Sequence, residues 1–230
     1  MIKVENIKKT YLGKNVLDIG NLMINKGEFL GIVGNNGAGK TTFFRLILDL
    51  IRADSGCICL NNISVSNSEK WKSFTGSYLD ESFLIDFLTP EEFFSFLGKI
   101  YHITNEQIEE KLKSFIHFFN NEILNQNGKY IREYSDGNKQ KIGIFSAFFF
   151  NPKVLVLDEP FNHLDPSAQI VFKKMLIDIN RNDGTTILVS SHNLNHVNEI
   201  CKRIIVLNKG KIIMDCDNNG SMLETLTSYF

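Results

Sequence analysis

The sequence predicts an α/β fold with a mainly parallel sheet in its core, an antiparallel β region at the N-terminus and a helical subdomain insert. Three observations predict it. Short β-branched apolar runs, among them Lys153-Val154-Leu155-Val156-Leu157 and Thr185-Thr186-Ile187-Leu188-Val189, are separated by helix-length stretches, the spacing of strands joined by crossover helices. A glycine-rich loop, Gly34 to Thr41, lies between one apolar run and a helix start. The middle of the chain, from about Phe83 to Tyr134, changes character and carries two capped helices in succession.

The elements follow in order. Ile2–Glu5 and Val16–Ile24 read as strands feeding a buried strand at Phe29–Val33. Thr42–Leu48 reads as a helix opening directly after the glycine loop, and Cys57–Leu60 and Gly76–Leu79 as two more strands. Thr89-Pro90-Glu91-Glu92 is a helix start, with Thr at the N-cap, Pro at the first position and acids in the first turn. Thr104-Asn105-Glu106-Gln107 is a capping box, opening a second helix to about Phe119. The polar stretch Asn120–Asn127 ends it. Asp165-Pro166 starts the helix between the two late parallel strands. Asn208-Lys209-Gly210 is a hairpin signal between Ile204–Leu207 and Lys211–Met214, and Ser221–Phe230 reads as a short terminal helix. The 230 residues thus form one domain, with residues 1–82 and 135–230 as α/β core and about 83–134 as the helical insert.

Composition narrows the function. A hydrophobic content of 43% supports a sizeable core, and a net charge of −1 argues against non-specific nucleic-acid binding. The cysteines, Cys57, Cys59, Cys201 and Cys216, form no C-x-x-C pair, which suits a reducing cytosol rather than a zinc ribbon or thiol redox site. The N-terminus has no apolar signal core, and the longest apolar run, around Ile142 to Phe150, falls short of the ~20 residues that span a bilayer. The expectation is a soluble chain that reaches a membrane only through another polypeptide.

Gly34-Asn35-Asn36-Gly37-Ala38-Gly39-Lys40-Thr41 fits G-x-x-x-x-G-K-[ST] at every fixed position. Glycines let the backbone curl so that successive N–H groups face phosphate oxygens. Lys40 is placed to reach the β- and γ-phosphates and Thr41 to ligate Mg²⁺. With a strand before and a helix after, this is an anion site and marks a P-loop NTPase core. Val154-Leu155-Val156-Leu157-Asp158-Glu159 is an apolar strand ending in two carboxylates. Asp158 suits a hydrated Mg²⁺ and Glu159 a proton acceptor for the attacking water. Alone, the pair would also read as an acidic turn; beside the P-loop the chemical reading is favoured.

Ser135, within Tyr134-Ser135-Asp136-Gly137-Asn138, is an N-cap whose helix offers a second set of backbone donors, although an ordinary helix start reads the same. His192, after Ser190-Ser191, can hydrogen-bond a γ-phosphate. His192 and His196 are four apart but lack the Glu of a zinc motif. Tyr11 can stack on adenine or simply pack. The insert is rich in phenylalanine: Phe83, Phe87, Phe93, Phe94, Phe96, Phe115, Phe118 and Phe119. Most fill its core, while Phe83 and Phe87, in the loop leading into it, are candidates for an apolar docking groove.

Together these residues resemble the nucleotide-binding subunits of ATP-binding cassette (ABC) transporters, over nearly the whole chain and with the motifs in order. Gly34–Thr41 resembles the Walker A loop, with Thr42 beside it as a further nucleotide contact. Val154–Glu159 resembles Walker B with its catalytic glutamate. Ser135–Asn138 resembles the signature motif, Asn162-His163-Leu164-Asp165 the D-loop, and His192 the switch histidine; Tyr11 holds the adenine-stacking position. Two departures stand out. In the signature motif Tyr134, Asp136 and Asn138 replace the usual Leu, Gly and Gln, while Ser135 and Gly137 are kept. An Asp136 carboxylate there would repel the phosphates. Glu81 stands where the family usually has a glutamine that senses Mg²⁺ and the attacking water, as in some exporter-like subfamilies.

The resemblance implies an ATPase using ATP and Mg²⁺, with Lys40, Glu159 and His192 catalytic and Thr41, Asp158 and Glu81 at the metal. It implies two subunits closing head to tail, each ATP held between one P-loop and the other chain's Ser135 and Gly137. It also implies a separate transmembrane permease, placement on the cytoplasmic face of the cell membrane, no nucleic-acid partner and, through Glu81, export. A soluble ABC ATPase working on nucleic acid or ribosomes is the alternative; a small-molecule P-loop kinase is disfavoured by Asp158-Glu159 and the Ser135 motif.

Overall fold

The computed structural model describes residues 1–218. The terminal helix expected at Ser221–Phe230 lies outside them. Two sheets carry the fold. The first is antiparallel and holds β1 (Ile2–Tyr11), β2 (Lys14–Ile24), β4 (Ser55–Leu60) and β5 (Ile63–Ser64) in the order β2-β1-β4-β5. The second holds β3 (Phe29–Val33), β6 (Thr75–Tyr78), β7 (Val154–Leu157), β8 (Thr186–Ser191), β9 (Arg203–Asn208) and β10 (Lys211–Asp217) in the order β10-β9-β3-β8-β7-β6. Its strands are parallel except for β10, which folds back on β9.

The helices are α1 (Lys40–Ile47), α2 (Pro90–Tyr101), α3 (Asn105–Ser114), α4 (Ile116–Phe119), α5 (Asp136–Phe148), α6 (Pro166–Asp183) and α7 (Leu194–Ile200). Thr89 and Thr104 cap α2 and α3 with reciprocal capping boxes, and Asp165 caps α6 ahead of Pro166.

Some boundaries differ from the sequence reading. β1 continues past Glu5 to Tyr11, because its pairing with β2 keeps register across the left-handed Asn6 (φ 49°), from Glu5–Asn21 to Ile7–Ile19. β8 extends beyond Val189 through Ser191, held by β3 as far as Val33. The single helix expected from Thr104 to Phe119 is two. Ser114 returns its hydroxyl to the Lys111 carbonyl (2.7 Å), Phe115 leaves helical geometry, and the turn buries Phe115, Phe118 and Phe119 together. β5 went unread; Asn61 and Asn62 both take left-handed angles in the turn before it.

The six-stranded sheet has a core on each face. One packs it against α1 and the antiparallel sheet, with Phe43, Phe44 and Ile47 fully covered. The other holds α5, α6 and the helical insert around Phe94, Phe119, Phe145 and Phe149, whose rings meet at 4.6–6.5 Å. Each fully buried ring contributes roughly 1.5–3 kcal/mol. Phe83 and Phe87 instead stand 57% and 69% exposed, and Phe96 is 42% exposed. No helix among the described residues is long and apolar enough to cross a membrane.

Candidate nucleotide site

Because β3, β7 and β8 are parallel neighbours, their C-terminal ends meet at one edge, where ligands of open parallel sheets bind. The chain leaves β3 through Gly34–Gly39, β7 through Asp158-Glu159, and β8 at His192.

The loop conformation depends on its glycines. Gly37 and Gly39 have φ of 80° and 107°, which L side chains resist. A Cβ on Gly34 would lie 2.3 Å from the Leu207 carbonyl oxygen. No side chain caps the N-terminus of α1, so its first-turn N–H groups are directed into the loop, the donor set an anion needs. Lys40 is buried and folds across the loop, donating to the carbonyl oxygens of Gly34 (2.6 Å) and Asn35 (3.5 Å).

Five predicted residues form one connected group. Thr41 donates its hydroxyl to Asp158 Oδ2 at 2.5 Å, and the Lys40 ammonium lies 3.3 Å from Glu159 Oε1. His192 Nδ1 is 2.9 Å from Glu159 Oε2, and its backbone N–H donates to the same oxygen at 3.2 Å. Asp158 is 4% exposed, and burial pushes its carboxyl above the usual range; hydrogen bonds from Ser190 and Thr41 oppose this in part. Adjacent hydroxyl and carboxylate oxygens in a desolvated site suit a hard divalent cation such as Mg²⁺. Glu159 has a φ of 46°, a conformation that costs a non-glycine residue energy and clusters at functional sites.

Sequence reasoning missed the role of Ser190. Fully buried, it donates to Asp158 Oδ1 and accepts the Glu159 N–H at 2.9 Å, fixing the Asp158 carboxylate and the Glu159 backbone. Its polarity at the end of an apolar strand was the available signal.

The remaining predicted residues stand outside this group. Tyr11 is 44% exposed where the β1–β2 hairpin turns, with the Lys9 ammonium 5.3 Å above its ring. β2 runs close under the loop, since a Cβ on Gly39 would lie 3.0 Å from the Val16 carbonyl oxygen. Ser135 caps α5, accepting the Asn138 N–H at 3.4 Å. Neither Ser135 nor Gly137 hydrogen-bonds the five-residue group within the described residues. Glu81 opens a 3-10 turn capped by Asp80. Burial first, then the Asp136 carboxylate, raises its carboxyl above the ordinary range, and the turn it opens packs against the helix that Ser135 caps. His196 packs on Phe161 at 4.7 Å, and burial lowers its pKa.

A phosphate loop at a strand–helix junction, with a carboxylate pair at the end of a nearby parallel strand, defines a P-loop nucleoside triphosphatase. Residues 17–162 match the ABC transporter family model, and the chain belongs to that family. It is 32% identical over 233 residues to the uncharacterized ABC transporter ATP-binding protein YhaQ of Bacillus subtilis (strain 168), covering 100% of this chain and 74% of that one. It is also 32% identical over 221 residues to the methionine import ATP-binding protein MetN of Carboxydothermus hydrogenoformans, covering 93% of this chain and 65% of that one. The dimeric post-hydrolysis structure of the ATP-binding cassette MJ0796, bound to ADP and Pi, superposes with a TM-score of 0.84 at 25% identity, covering 95% of this chain and 99% of that one. The chain is accordingly an ATP-binding ATPase cassette.

Proposed function

We propose that this chain is the ATP-hydrolysing subunit of a membrane transporter and works by ATP-driven closure of a dimer. The observation that carries this reading is the joined set Lys40, Thr41, Asp158, Glu159 and His192. In it, residues 34–42 hold the triphosphate through backbone N–H groups, and Lys40 swings from the Gly34 carbonyl to the β- and γ-phosphates. Thr41 and Asp158 would hold Mg²⁺, which neutralises phosphate charge when bound. Glu159 takes the proton of the attacking water, and His192 orients Glu159 and meets the γ-phosphate. Glu81 would supply a further carboxylate beside the bound Mg²⁺. Tyr11 stacks on adenine. Ser135 and Gly137 complete the site of the second copy, so nucleotide joins two chains and hydrolysis frees them.

The transmembrane partner docks beside the exposed Phe83, where a cleft of about 300 Å³ is lined by Leu48, Leu50, Trp71, Tyr78 and Leu84. In this reading the chain works on the cytoplasmic face of a membrane. The relatives' names speak of transport, which favours this reading over work on nucleic acid. Export rested on Glu81 alone and gains no support from them: MetN is an importer by name.

The experiment is ATP titration with size-exclusion chromatography and light scattering. ATP with Mg²⁺ should convert monomer to dimer, and Lys40→Ala should bind nucleotide weakly and stay monomeric. A loaded wild-type chain that stays solitary would overturn the dimer reading.

A further inference from the structure

The helix capped by Ser135 is fastened to the loop that begins at Glu159. Three contacts do this, all from the first two turns of α5. A Cβ on Gly137 would lie 2.6 Å from the His163 carbonyl oxygen, so the two backbones touch. Gln140, 1% exposed, donates Nε2–H to the Pro160 carbonyl oxygen at 2.6 Å. Lys141, 3% exposed, places its ammonium 3.5 Å from Asp165 Oδ2 and 3.8 Å from Glu122 Oε2. A little further along, Gly143 packs against the Tyr78 ring, and the Tyr78 carbonyl accepts the Asp158 N–H at 2.8 Å. Apolar side chains would fill such positions with less desolvation cost. What a buried amide and a buried ammonium add is direction: they hold α5 in one register against Pro160 and Asp165.

The consequence lies across the dimer, and it rests on the functional reading above. Glu159 serves the chain's own nucleotide, whereas Ser135 and Gly137 serve the neighbour's. One residue, Pro160, separates Glu159 from Phe161, whose carbonyl, like that of Leu164, accepts from Gln169 Nε2 at 3.1 Å. A shift of Glu159 would therefore bear on Pro160, and through Gln140 on α5. We propose that Gln140 and Lys141 are positioning residues that couple the two ATP sites, setting the pose of Ser135 and Gly137 according to the state of Glu159 in the same chain. Neither touches nucleotide in this scheme. Coupling of this kind is reciprocal in binding free energy, so ATP at one site favours the pose that clasps ATP at the other.

The test uses the whole chain and the variants Gln140→Met, Lys141→Met and Lys141→Arg. Three quantities are read: ATP affinity under dilute, monomeric conditions, the ATP concentration for half-maximal dimerisation, and the Hill coefficient of hydrolysis. In Gln140→Met and Lys141→Met, half-maximal dimerisation should need about tenfold more ATP. Their Hill coefficient should fall from nearly 2, the bound set by two sites, toward about 1. Monomer affinity should stay within about twofold of wild type, as expected for positions remote from the P-loop. Lys141→Arg should restore wild-type behaviour. Unchanged dimerisation and Hill coefficient in both methionine variants would overturn the coupling role. So would loss of monomer affinity alongside them, since that marks general damage. Absence of ATP-driven dimers in the unmodified chain removes the functional reading instead, and is seen before any variant is made.

Discussion

The Lys40 ammonium and the Glu159 carboxylate approach to 3.3 Å, the former held by the loop after β3 and the latter by the turn after β7. Lys40 is almost fully buried and Glu159 largely so, which makes the pair stronger than a surface ion pair. Glu159 therefore has two cationic or protonatable neighbours, Lys40 on Oε1 and His192 on Oε2. A γ-phosphate drawing Lys40 away would leave Glu159 with His192 alone, its carboxylate then free to accept a proton from water.

Glu159→Gln keeps the shape of that site and the hydrogen bond from the His192 backbone, but it removes the proposed base. Turnover should fall by about 10²–10⁴-fold, the scale of general-base catalysis, while ATP affinity is retained or improved. The variant should elute as a stable dimer with ATP. Phosphate release at the wild-type rate would exclude Glu159 as the base.

Much of this was legible because it is local. The P-loop, the caps at Thr89, Thr104, Ser135 and Asp165, and the apolar strand before Asp158 each follow from a few adjacent residues. What was not legible depends on register between distant segments. Ser190 reaches Asp158 only because β7 and β8 pair Leu157 with Val189. Gln140 reaches Pro160 only because α5 packs beside β7's outgoing loop. The break at Phe115 has the same origin, since it accompanies an edge-to-face contact with Phe145 of α5 at 4.7 Å that the local pattern does not show.

Asp165 gives a pH-dependent stability prediction. Hydrogen bonds from the Ser167 hydroxyl and the Ala168 N–H, with help from Lys141, lower its pKa to about 2. The folded value lies below the unfolded one, near 4. Its stabilisation is therefore complete above about pH 4 and is lost as pH falls toward about 2. Asp165→Ala should cost about 1 kcal/mol at pH 7, the usual worth of an N-cap. Urea unfolding of both proteins between about pH 7 and pH 3 should show the gap closing in the acid range. A constant gap would mean the carboxylate charge has no part in it.

Asp136 sits in the first turn of α5, next to Ser135, and its charge is felt by Glu81. It favours the helix N-terminus, but under the proposed function it also faces the neighbour's triphosphate. Asp136→Gly should therefore lower slightly the stability of the free chain and tighten ATP-driven dimerisation. A several-fold drop in the ATP needed for half-maximal dimer is expected, and it should shrink with added salt. Equal dimerisation in both chains would remove electrostatic repulsion as the effect of this departure.

Phe83 and Phe87 test the proposed docking surface without touching the nucleotide. Both rings are more than half exposed, so replacing them with aspartate leaves no cavity, and the folding cost should stay within about 0.5 kcal/mol. At a protein interface the same change buries an unpaired charge, which costs far more. The double variant Phe83→Asp/Phe87→Asp should hydrolyse ATP and dimerise as wild type does, but fail to co-purify with the transmembrane partner of the transporter. Retained co-purification would move the docking site elsewhere, while lost ATPase activity would show that these rings support the catalytic fold rather than the interface.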